Sequence, residues 1–70
     1  MRDSYTEMLT AANNWGPSND PNRRWFLAGY RDQLDGVKGE EAPTGSAITN
    51  MSEWAAYNSG VVAALMHKYG

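Results

Sequence analysis

Apolar residues recur along the chain at the three- and four-residue intervals of α-helices, in three blocks separated by helix breakers. In the first, Tyr5, Met8, Leu9, Ala12 and Trp15 follow one another until Gly16 and Pro17 stop the pattern. Ser4, with Glu7 three positions later, supplies a capping box, so a helix is predicted over 4–14. The second block opens on Asp20 and Pro21, an N-cap and a first-turn proline. It closes on Gly36, the residue type that ends helices in the left-handed conformation, which predicts a helix over 21–35. Phe26, Tyr30, Leu34 and Val37 form its inward stripe, while Trp25 lies about 100° around the helix from Phe26 and faces something else.

A second capping box, Asn50 with Glu53, introduces a helix over 51–68, with Met51, Trp54, Ala55, Val61, Val62, Leu65 and Tyr69 on one broad face. Gly60 in its middle costs roughly 1 kcal/mol relative to alanine, which implies that a neighbouring backbone or ring comes close there. Residues 37–49, with Gly39, Glu40, Glu41, Pro43 and Gly45, carry turn chemistry and no periodicity. They read as a long loop, of a length associated with function or mobility. No run alternates with period two long enough to propose a strand. The expected fold is all-α, a single small domain over 1–70, with the first two helices as an antiparallel hairpin and the third laid across both.

Composition narrows the chemistry. Seventy residues bury only about 60% of their unfolded surface, so the stability margin is thin and small folds of this size lean on disulfides, metals or association. The absence of cysteine removes disulfides and thiolate metal sites, and a lone histidine, His67, makes no zinc site unaided. A net charge of −2 argues against the whole molecule acting as an electrostatic ligand for nucleic acid or anionic lipid. With no apolar leader or membrane-length run, the chain reads as a full-length cytoplasmic protein without a membrane partner. The sequon at Asn50, Met51 and Ser52 carries no weight in that setting.

Catalytic and cofactor patterns are missing. His67 is read as a favourable group at a helix C-terminus, and no nucleophile is placed beside it. Glu40 and Glu41 are adjacent in a polar loop with nothing apolar to raise a carboxyl pKa. Asp32, Asp35 and Gly36 followed by the two glutamates miss the alternate positions of a calcium loop, so no metal is assigned. Gly36, Gly39 and Gly45 have neither the preceding strand nor the following Gly-Lys-Ser/Thr of a phosphate loop. A non-enzymatic chain without cofactor is expected.

One charge feature remains, Arg23, Arg24 and Arg31 on the second helix beside Trp25 and Tyr30. Arginines next to aromatic rings are used to stack on bases, touch phosphates and anchor protein interfaces. The same arginines can instead be neutralised within the helix, since Asp20 lies four before Arg24 and Asp35 four after Arg31. Of the tryptophans, Trp54 is assigned to the core, Trp15 to a lid over it, and Trp25 to a partly exposed position. The candidate partner surface is Arg23, Arg24, Trp25, Tyr30 and Arg31, together with Glu40 and Glu41 of the loop.

Gly29 with Tyr30, then Gly36, Pro43, Trp54, Tyr57, Gly60, Ala63 and Ala64 resemble the ribosome modulation factor family and its phage relatives over about residues 25–65. The resemblance implies a helix-loop-helix architecture and a regulatory role. The chain departs from the family in being net acidic, in carrying Ala42 where a cysteine is usual, and in adding a first helix. The expected function is thus a small phage- or mobile-element-type interaction protein that modulates or inhibits a host protein or ribonucleoprotein machine. The alternatives are a ribosome-binding module, with nucleic acid met as part of such a complex, and a self-assembling protein or homodimer.

Overall fold

A computed structural model of the chain describes residues 4–36, 41–45 and 50–69. Three helices occur among them, α1 (Ser4–Trp15), α2 (Arg23–Asp35) and α3 (Met51–Tyr69), and the described residues contain no strand. The expected loop over 37–49 is described only at 41–45; residues 37–40 and 46–49, Glu40 included, lie outside the described residues.

Helix ends follow local chemistry with one shift. α2 starts at Arg23 rather than at position 21, because Asp20 builds a turn ahead of it. The Asp20 side chain accepts a hydrogen bond from the Asn22 N–H at 2.8 Å, and its carbonyl accepts one from the Arg23 N–H at 3.1 Å. At the other end Gly36 adopts φ 77° and its N–H turns back to the carbonyls of Asp32 and Gln33.

The dominant packing is between α2 and α3, with α1 resting more lightly on both, rather than an α1–α2 hairpin crossed by α3. The cause lies in two glycines. A Cβ at Gly29 would overlap the Tyr57 carbonyl oxygen and lie 2.9 Å from its carbon. A Cβ at Gly60 would overlap the Phe26 carbonyl oxygen and lie 2.9 Å from the Tyr30 nitrogen. Each glycine thus faces the carbonyl three residues before the other glycine and the nitrogen one residue after it, a reciprocal crossing in which the two backbones touch. The close approach expected at Gly60 is found, and Gly29 completes it.

This crossing sets the phase of α3. The buried side is the ridge of Ala56, Tyr57, Gly60 and Ala64, whereas Met51, Ala55 and Val62, expected to face inward, are exposed. Small residues let the helix axes approach, and bulky aliphatics on that side would hold them apart. Phe26 and Tyr30 flank the contact and, with Met8, Ala12 and Ala64, form the core. Trp15 lids it by stacking on Phe26 at 5.2 Å between ring centroids. Trp54 sits outside this cluster, half-buried under the loop, its Nε1–H donating to the Gly45 carbonyl at 3.3 Å and its ring meeting Tyr57 edge-on.

Gly60→Ala should therefore destabilise the protein despite alanine's better helix propensity. Propensity returns about 1 kcal/mol, while separating two touching backbones costs roughly 2–4 kcal/mol through the surrounding core. Urea unfolding followed by circular dichroism should place the Gly60→Ala midpoint clearly below wild type, and an unchanged or higher midpoint would refute the contact.

Candidate functional site

The described residues hold one buried charge, Asp32, at 3% exposure. Its Oδ2 accepts hydrogen bonds from the Tyr57 hydroxyl of α3 and, at 3.0 Å, from the backbone N–H of Glu41 in the loop. The carboxylate thereby ties three separate segments together beside the glycine crossing, and Pro43 is buried nearby in sequence to its loop partner. Asn50 adds a second tie, its side-chain amide donating to the Thr44 carbonyl ahead of α3. Among the described residues no three His, Asp or Glu side chains gather closely enough to hold a metal ion. Asp32 serves the fold, a role its spacing to Asp35 did not reveal.

His67 and Glu7 meet at the far side of the core, with Nδ1 and Oε2 3.4 Å apart, an ion pair when the imidazole is protonated. The pair joins the last turn of α3 to the first turn of α1, so His67 finds a carboxylate on another helix as well as its own helix terminus. The Tyr30 ring lies 6.2 Å from the His67 ring. Burial foremost, and the Glu7 charge second, push the Tyr30 phenol above its ordinary pKa of 10.0.

The candidate partner residues divide among several places. Arg24 is exposed and its guanidinium lies over the half-buried Trp25 ring, 4.8 Å from the centroid. Neither Arg24 nor Arg31 pairs with Asp20 or Asp35 among the described residues, so the intrahelical neutralisation that the spacing allows is not made. Arg23 turns back onto α1, donating to the Asn13 side chain at 2.9 Å, and its Nη1 is buried with no partner among the described residues. Arg31 is exposed and borders a shallow cavity of about 470 Å³ with Tyr5, Met8 and Leu34. Tyr30, named with this surface, is instead 1% exposed and belongs to the core, because the inward stripe of α2 is what meets Gly60. Glu41 is exposed, and its backbone N–H is committed to Asp32.

Sequence reasoning missed a second surface. An open groove of about 600 Å³ runs between α1 and α3, lined by Ala11 and Trp15 on one wall and Val62, Ala63 and Met66 on the other. Met66 is 68% exposed and Val62 54%. The signal was present as a second apolar series on α3, at 51, 55, 62 and 66, of which Met51, Ala55 and Val62 were assigned to the core face and Met66 to none.

In comparisons with protein-family models, with curated proteins and with solved structures, the chain matches none. No described helix is long and apolar enough to cross a membrane.

Tyr30 gives a pH prediction. A phenol whose pKa is raised on folding contributes stability that is fully present below the unfolded value near 10 and is lost as pH rises through the folded value. The urea midpoint should hold up to about pH 9 and fall above 10, and Tyr30→Phe should reduce that fall. A variant profile parallel to wild type would refute it.

Proposed function

We propose that the chain is a non-enzymatic interaction module that binds a host protein or ribonucleoprotein machine and modulates it by occupying a surface, with Arg24 and Trp25 at the centre of the contact. The observation that carries this reading is the Arg24–Trp25 stack, an exposed guanidinium held over an indole by its own helix and paired with no carboxylate among the described residues. Arginine and tryptophan are the side chains most enriched among interface anchors, and a pair already stacked loses less rotamer freedom on docking. Arg31 and Glu41, both exposed, extend the proposed contact.

A ribosome-modulating role in the manner of the resembled family is the second reading. One observation favours it. Five of the residues that carry the resemblance, Gly29, Tyr30, Tyr57, Gly60 and Ala64, lie in the buried packing of α2 on α3, so that part of the likeness concerns the joint between the two helices. A phage or mobile-element origin and action in the host cytoplasm belong to both readings.

Affinity capture from bacterial lysate distinguishes them. Wild-type chain should retain a stoichiometric partner that Trp25→Ala and Arg24→Glu lose while keeping wild-type helicity. Equal capture by all three, or none by wild type, would refute the Arg24–Trp25 contact. Sedimentation with ribosomes that weakens steeply with salt and is lost in Arg24→Glu/Arg31→Glu would instead establish the second reading.

A further inference from the structure

α3 carries two opposed packing faces. One is the glycine ridge against α2. Directly opposite runs Met51, Ala55, Asn58, Val62 and Met66, all exposed, at intervals of four, three, four and four residues. Ser59 lies beside Asn58, and between Glu53 and His67 the helix bears no charge. Such spacing is that of a coiled-coil seam about 22 Å long at 1.5 Å per residue.

With Ser59 included, the positions of the series are symmetric end to end. About a midpoint between Asn58 and Ser59, Met51 mirrors Met66 and Ala55 mirrors Val62. We infer that this face is the interface of a homodimer in which two α3 helices pack antiparallel across a two-fold axis at Asn58 and Ser59. Met51 then meets the partner's Met66, small Ala55 receives the partner's branched Val62, and the polar residues meet only at the axis.

The occupant is a second copy for three reasons of chemistry. The pairing places large against large at the ends and small against branched between, without any change of sequence. The antiparallel arrangement opposes the two helix dipoles favourably, and none of the seam residues Met51, Ala55, Asn58, Ser59, Val62 and Met66 carries a charge that would repel a second copy. At the axis the Asn58 amide finds an acceptor in the partner's Ser59. The Ser59 hydroxyl donates to the Ala55 carbonyl at 2.8 Å and keeps its lone pairs for that amide. A central polar pair in an apolar seam fixes register and orientation. The groove walls Ala11 and Trp15 flank the seam and widen the contact.

The absence of native cysteine allows a direct test. Sedimentation equilibrium from micromolar concentration upward should give twice the 7.7 kDa chain mass. Val62→Glu should give the single mass with helicity retained. Met51→Glu/Met66→Glu should also be monomeric, whereas Met51→Glu/Met66→Lys should dimerise, because only antiparallel pairing sets each Glu against a Lys. Asn58→Cys should cross-link on oxidation, and Met51→Cys alone should not. A strict monomer at high concentration, which would leave the seam to a different partner, overturns the proposal. So does a dimer indifferent to Val62→Glu, or one in which the Glu/Lys variant is monomeric while Met51→Cys cross-links.

Discussion

Contact between two backbones, at Gly29 of α2 and Gly60 of α3, is the constraint on which the remaining structure depends. Two helices can touch main chain to main chain only where both lack a side chain, and the rest of each contact face must stay small or lie flat. Ala56 and Ala64 satisfy the first condition, and Phe26, Tyr30 and Tyr57 the second, with their rings lying beside the crossing. Close approach maximises dispersion contact in a chain too short for a deep core. It also explains why α1 is the outer member, held by Met8, Ala12, the Trp15 lid and the pairing of Glu7 with His67.

Features governed by neighbouring residues were legible in the sequence. Three helices and the left-handed stop at Gly36 follow from side chains within a few positions of one another. Gly60 was legible for a different reason, since a glycine in a long helix needs a cause and close approach is the usual one. The orientation of α3 was not legible, because periodicity weighs bulky aliphatics most heavily, and Met51, Val61, Val62 and Leu65 outweigh a ridge of alanine and glycine. Once the phase of α3 is misread, the hairpin partner of α2 is misread with it.

The candidate site was legible in composition and less so in arrangement. Arg24 and Trp25 do form a unit at the surface, yet Tyr30, one residue from Arg31 in sequence, points into the core. Sequence adjacency on a helix is separation by about 100°, so a cluster of neighbours in the chain is spread around the axis. Arg23 shows the same effect in reaching α1. The role of Asp32 depended on Tyr57, 25 positions away, and on a loop amide, neither of which any local pattern links to it.

That carboxylate bears on which arrangement the chain selects among compact ones. A slide of α3 along α2 by one turn, about 5.4 Å, would set Ala56 or Ala64 against Gly29 and bring a Cβ where the two backbones now touch. Sliding would carry Asp32 away from the Tyr57 hydroxyl and the Glu41 amide while leaving it among apolar neighbours, and an uncompensated buried charge costs several kcal/mol. The glycine pair and the aspartate therefore select the same register, one by shape and the other by charge: the joint has a single stop, held twice.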